Sequence, residues 1–348
     1  MGLNKSTIGI LRRMRSALGI GLCHLRGIRR GSLGFTGSKD QSFSLRPSLT
    51  SCQIKTLTTS LALYSFLVVL LFVRPANAQE SPYIVTYDHY LEEPGSLEIE
   101  YFSTFGTQRG GNDFHAAWLE FEYGAKAWWT TEFYLDGQTT FNDSTIFTGF
   151  RWENRFRLLQ QEHFVNPVLY IEYEQISEAD KIVKEIEGHD VESDHGVPNA
   201  LARQGHNHEL EFKLLLSKTF KGWNVAVNPL ATKNLLPSDP WEFGYAIGAS
   251  RPLALKASAN RCNFCPENFI AGVEMYGGLG DTASFGLHET SHYLAPAMAW
   301  NLPSGWTLRV SPGFGLNDNS HHMLLRWGLS REFSGFGEMV SRLFGGRQ

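Results

Sequence analysis

The chain has 348 residues, 42% of them hydrophobic, and a formal net charge of −4. That charge is unevenly placed: the first seventy-eight residues hold eleven of the 31 Lys and Arg but only one of the 35 acids, Asp40. The remainder carries 20 basic and 34 acidic residues, about −14 net, which counts against nucleic acid or an anionic membrane surface as a partner.

The N-terminus reads as targeting. Residues 55–78 combine Lys55, the apolar run Leu61–Val73, and Ala76 and Ala78 spaced as in an A-x-A cleavage site. These are the parts of a secretory signal peptide, with cleavage expected after Ala78. Thirteen apolar residues fall short of the roughly twenty that a spanning helix takes. Residues 1–54 contribute nothing that such a signal needs and read as a misassigned start. Their Arg- and Ser-rich, acid-poor composition is also similar to an organelle transit peptide. Cys23 and Cys52 would leave with the leader, so Cys262 and Cys265 are the cysteines expected in an oxidising compartment. Residues 79–94 follow as a periplasmic segment, 95–333 as the folded body, and 334–348 as a C-terminal tail.

From Gly95 onward apolar residues recur with period two, the signature of strands. "SLEIEYFSTF" sets Leu97, Ile99, Tyr101 and Phe105 against Glu98, Glu100 and Thr104. "AWLEFEYG" sets Leu119, Phe121 and Tyr123 against Glu120 and Glu122, and "TTEFYLDG" sets Phe133 and Leu135 against Glu132, Tyr134 and Asp136. In "GFRWENRFR", Phe150, Trp152 and Phe156 oppose Arg151, Glu153, Arg155 and Arg157. "LYIEYE", "HELEFKLLL", "WNVAVNPL", "WEFGYAIGAS", "NFIAGVEMYGG", "HYLAPAMAWNL", "WTLRVSPGFGL" and "HMLLRWGLSREF" complete about twelve strands. One face is charged and the other aliphatic or aromatic, which inverts a soluble core and suits a membrane barrel. Aromatics near strand ends, among them Trp128, Trp129, Trp223, Trp241, Trp300 and Trp306, suit interfacial girdles. Inner turns are mostly short ("AKA", "LLQQEH", "TFKG", "NLPSG"), whereas one outer loop runs from about Ile176 to Asn207. The expected fold is therefore an all-β, transmembrane, antiparallel up-and-down barrel of about twelve strands in the bacterial outer membrane.

The last strand, "LLRWGLSREF", looks like the closing strand of outer-membrane proteins, which commonly ends in Phe. The stretch from His292 to Phe333 resembles the phenol-degradation meta-pathway family of outer-membrane barrels, relatives of the fatty-acid and toluene transport channels. That resemblance implies a channel or transporter for small hydrophobic or aromatic solutes, inserted in the lipid bilayer by the outer-membrane assembly machinery. Two departures stand out: Arg331 sits where an aromatic is usual, and fifteen residues follow Phe333. A non-conducting structural or adhesion barrel and an outer-membrane hydrolase are the alternative readings.

Candidate sites follow from the strand pattern. Glu98, Glu100, Glu120, Glu122, Glu132 and Asp136 are expected to form an acidic lumen wall beside a basic one of Arg151, Arg155 and Arg157. Arg309 and Arg326 would stand near the closing seam. Opposed walls would set a transverse field across a water-filled pore; the alternative is a charge network that fills a narrow barrel. Cys262 and Cys265, in "CNFC", are spaced for a small structural disulfide of about 2 kcal/mol.

"GLHETSHYL" spells the His-Glu-x-x-His of zinc peptidases across His288, Glu289 and His292, but that chemistry needs a helix. Gly286, Thr290 and Pro296 deny it one. The long outer loop offers His189, Asp194, His195, His206 and His208 as a weak metal set. Ser291 and His292 are adjacent, so on a strand they point apart, and no catalytic residue is assigned. No cofactor is implied.

Overall fold

The computed structural model describes residues 81–108, 111–183, 188–189, 197–236, 238–260 and 262–344. The leader and signal peptide lie outside these residues, as do Asp194 and His195 of the long loop.

Twelve strands follow one another: β1 (Leu97–Thr107), β2 (Phe114–Lys126), β3 (Trp129–Thr140), β4 (Thr145–Arg157), β5 (Asn166–Ser177) and β6 (His206–Phe220). Then come β7 (Trp223–Asn234), β8 (Trp241–Pro252), β9 (Phe269–Asp281), β10 (His292–Asn301), β11 (Trp306–Gly315) and β12 (Met323–Phe333). Each pairs antiparallel with its sequence neighbours, and β1 pairs β12 in register from Leu97↔Phe333 to Thr107↔Met323. The sheet is thus a closed twelve-stranded up-and-down barrel with no open edge.

Burial along each strand is inside-out. On β4, Trp152 is 52% exposed while its neighbour Glu153 is fully buried. On β12, Leu325 and Trp327 face outward around an inward Arg326. Period two carries this directly: successive side chains alternate between the lumen and the outer surface. The outer surface is a belt of Leu, Val, Phe and Trp, with Trp128, Trp223, Trp241 and Trp306 exposed at or beside strand ends.

We call the rim where β1 begins and β12 ends the near rim. Connections there are short (127–128, 158–165, 221–222, 302–305), except for 253–268, which holds the Cys262–Cys265 disulfide with its Cα atoms 5.4 Å apart. Trp300 Nε1 donates to the Asn263 carbonyl and its ring lies tilted against Phe264, pinning that loop to β10. The far rim carries the longest connection, 178–205, which includes the short helix α1 (Asn199–Ala202). Beyond β12, helix α2 (Phe336–Phe344) occupies part of the expected tail, with the Gly337 amide bonded to the Gly95 carbonyl.

Residues 81–94, read above as a periplasmic segment, run inside the barrel. Their backbone bonds to inward side chains of β3, β6, β7 and β9. At the end of this segment Gly124 is required, because a Cβ there would collide with the Glu93 carbonyl.

The β6–β7 ladder is interrupted beside Pro229, and a second break sets two prolines face to face. Between β10 and β11 the ladder breaks between Leu294↔Phe314 and Met298↔Val310, and that register sets Pro296 opposite Pro312. Neither proline has an N–H to donate. We predict that the seam-facing amides that flank the prolines, those of residues 294, 298, 310 and 314, exchange with deuterium at least about tenfold faster than those of the β1–β12 seam. Equal protection at the two seams would contradict this assignment of the weak point.

Candidate functional site

A cavity of about 370 Å³ lies within the barrel. Its walls come from inward positions of β1–β6, β11 and β12. The segment 81–93 borders it on the near side, and Ile182 and Val183 of the long loop border it on the far side.

Nine of the eleven lumen residues expected from the sequence surround this space: Glu98, Glu100, Glu120, Glu122, Glu132, Arg151, Arg155, Arg309 and Arg326. Asp136 stands behind Arg151, and Arg157 lies toward the near rim with Nη2 3.5 Å from the His89 carbonyl. They do not form separate acidic and basic walls. Arg151 bridges Asp136 on β3 (3.1 Å) and Glu172 on β5 (3.3 Å). Arg155 reaches Glu122 (2.5 Å), Glu153 (3.1 Å) and Glu132. Arg309 reaches Glu100 at 3.0 Å. Register is the reason: β4 lies between two acid-bearing strands, so Arg151 is flanked by carboxylates of β3 and β5, whereas Arg155 reaches those of β2, β3 and its own strand. A carboxylate taken out of bulk water needs a partner. Removing Arg155 would strand three of them, at a cost of about 3–5 kcal/mol.

Sequence reasoning missed Glu172, Glu174, Glu211 and Lys213, which complete the lining from β5 and β6. Their signal was present, since all four occupy the polar phase of alternating strands. Two carboxylate triplets, Glu120/Glu122/Glu132 and Glu172/Glu174/Glu211, bring oxygen atoms within 4.8 Å of one another. Each already has a resident cation: Arg155 in the first, and Lys213, 2.7 Å from Glu211, in the second. Across the whole lining eleven carboxylates face five basic side chains, so the cavity keeps a negative excess.

The intraluminal segment is held mainly through its backbone. The amides of Ile84, Val85 and Thr86 donate to the carboxylate of Glu274 on β9 at 3.0, 2.9 and 2.7 Å. Asn228 on β7 accepts from the Tyr87 amide (2.6 Å) and donates to the Tyr87 carbonyl (3.0 Å). Ser217 and Thr130 accept from the amides of His89 and Glu92. Tyr87 adds a side-chain anchor, packing edge-on against Tyr170 and lying under both Arg155 and Lys213. At the near rim His89 Nε2 lies 2.7 Å from Glu162. Burial opposes ionisation of Glu162, but hydrogen bonds from His89, Lys218 and Asn166 hold its carboxyl down at about 2.

The far side is closed by residues 178–183. Gln138 accepts from the Lys181 amide, and Ile182 packs into a cluster with Phe114, Tyr276, Tyr293 and Leu324. His321, buried beside Phe114 and Tyr293, donates from Nε2 to the Lys181 carbonyl at 3.0 Å.

The histidine motif forms no site. Glu289 takes a left-handed φ of 57°, and both His288 and Glu289 are exposed in a turn. His292 opens β10, its ring between Tyr245 and Thr290 rather than on Ser291. Of the loop histidines, His189 faces the His288 carbonyl while His208 bonds Tyr173, so these two do not converge. Of His206 only the backbone, at the start of β6, is described.

No protein-family model and no curated protein matches the chain. Among solved structures it is similar to an outer membrane channel from Pseudomonas putida F1, with 11% identity over 72% of this chain and 100% of that one, TM-score 0.45. It is also similar to the KdgM porin in complex with disordered oligogalacturonate (9% identity, 69% and 98% covered, TM-score 0.37). A third is the CymD monoaromatic hydrocarbon channel (8% identity, 69% and 89% covered, TM-score 0.34).

His321 gives the far closure a pH dependence. Burial lowers its pKa to about 4 from an ordinary 6.5. A base with a depressed folded pKa stabilises the fold above the unfolded value and loses that contribution as pH falls toward the folded one. Acidification from pH 6.5 to 4 should therefore loosen residues 178–183, read as faster proteolysis at Lys181 in detergent. The His321→Gln chain should lose that acid sensitivity. Unchanged pH dependence in the variant would exclude His321 as its source.

Proposed function

We propose that this chain is a bacterial outer-membrane channel for small solutes, closed at rest by its own residues 81–94 and by the far-rim loop. The observation that carries this reading is the pairing of an apolar exterior with a charged cavity inside one closed barrel. A bilayer accepts the first, and water with dissolved solutes accepts the second. The near rim is the periplasmic one in this reading. It holds the shorter turns, and residues 81–94, which would follow signal cleavage at Ala78, enter the lumen from that side. The exposed Trp residues at strand ends would sit at the two membrane interfaces.

Transport requires the solute to displace or pass two constrictions. A solute coming from the far rim meets Ile182 and Val183, then the acid-rich cavity, then the backbone of residues 84–87. The lining decides which solutes dwell there. Arg151, Arg155, Arg309 and Lys213 are tied to carboxylates, and the acids outnumber the bases, so cations are concentrated and anions repelled. Phe102, Trp118, Tyr134 and Tyr170 add ring faces to the same wall, which suits aromatic or organic-cation solutes. The resemblance of the closing strands to aromatic-solute channels agrees with that wall.

In planar bilayers under a KCl gradient the chain should conduct with a K⁺ over Cl⁻ permeability ratio above roughly 3. Glu120→Gln combined with Glu174→Gln should lower that ratio at least about twofold. Anion selectivity, or an inserted barrel that stays silent at every voltage, would contradict the channel reading.

A further inference from the structure

The lumen holds residues 84–92 in an unusual way, because most of the hydrogen bonds go to backbone. Three successive amides share the carboxylate of Glu274, at 2.7 to 3.0 Å. Asn228 reads both the N–H and the C=O of Tyr87, the two groups that every residue except proline presents. Ser217 and Thr130 each take a further amide. None of these contacts depends on which side chain the segment carries at that position.

Glu274 is fully buried, and successive amides of an extended or turning chain form a natural nest for an anion. Charge-assisted bonds of this kind are about twice as strong as neutral ones. Their geometry is built into the wall, since Asn228 and Glu274 are inward positions on paired barrel strands rather than loop residues. Rigid strands present the acceptors whether or not the segment is there.

The geometry points to a peptide-binding track: when residues 81–94 withdraw, the barrel takes an extended segment of another peptide along Glu274, Asn228 and Ser217. Passage of that peptide rests on the channel reading above, whereas binding to the track does not. The negative excess of the cavity favours peptides bearing Lys or Arg beyond the recognised backbone. A tethered segment competes as an internal ligand at an effective concentration of order mM, so the native chain discriminates against weak peptides.

Proline substitution in the segment empties the track without altering it. Val85→Pro and Tyr87→Pro remove two of the recognised amides from the full chain and leave every wall residue in place. The probe is a fluorescent synthetic peptide with the sequence of residues 81–93, followed by anisotropy on the detergent-solubilised barrel. Heat-modifiable gel mobility reports that the barrel is folded. The peptide should bind the double-proline chain at least about tenfold tighter than the native chain, whose own segment competes. Glu274→Gln added to that chain should weaken binding roughly tenfold.

N-methylation of the peptide at positions 85 to 87 should abolish binding, while a scrambled peptide of the same composition should bind within about threefold. Failure of the peptide to bind the folded double-proline chain would overturn the inference, as would equal binding of the N-methylated form. Loss of binding on scrambling would also overturn it, leaving a latch specific for the chain's own segment. In bilayers the double-proline chain separates the two readings. Current that the peptide does not block counts against the track, whereas binding without any current counts against the channel.

Discussion

Burying acid inside a barrel sets the terms for everything else in this molecule. Glu153, Glu172 and Glu274 lie in the lumen essentially without solvent exposure. A carboxylate in that position must be met by a cation or by N–H groups, because leaving it unmet costs several kcal/mol. Two solutions appear side by side. Between β2 and β5 the partners are Arg151 and Arg155, each spread over two or three acids. On β9, Glu274 is met by three amides of the chain's own N-terminal segment. The segment is thus part of the charge balance of the lumen as well as an obstruction in it.

In the proposed channel this dual role would let the closure be strong without being permanent. A side-chain core would have to be unpacked to open it. A backbone-held segment leaves by exchanging hydrogen bonds with water, and an arriving solute or peptide can supply replacements. The far closure differs in kind: Ile182 packs among aromatic and aliphatic side chains, and His321 ties its backbone. The two constrictions are therefore built from different chemistry, one from backbone hydrogen bonds and the other from apolar packing beside a buried histidine.

Most of the barrel was legible in the sequence because alternation is a local property. "GFRWENRFR" states which residues face inward before any partner strand is known, and the structure keeps that phase. What alternation cannot state is register. The expected acidic and basic walls failed because Arg151 and Arg155 reach acids on other strands, whose alignment depends on pairing. The facing of Pro296 and Pro312 is invisible for the same reason. The intraluminal segment was missed on other grounds. "SPYIVTYDHYLEE" is held largely through amides, which every residue but proline carries, and its Tyr83, Tyr87 and His89 anchors follow no period that points inward. A lone acid in "NFIAGVEMYGG", Glu274, was the available hint. "GLHETSHYL" shows the opposite failure, in which letters match a zinc peptidase while Glu289 sits in a left-handed turn.

The central claim is that residues 81–94 close a conducting barrel, and a reversible lock tests it most directly. His89→Cys with Ser217→Cys places thiols where a side chain of the segment and one of β6 already meet. Cys262→Ser and Cys265→Ser remove the native pair from the redox step. Single-channel recording of this chain should show no openings when oxidised and cation-selective openings after reduction with dithiothreitol. Identical currents in the two states would contradict the account.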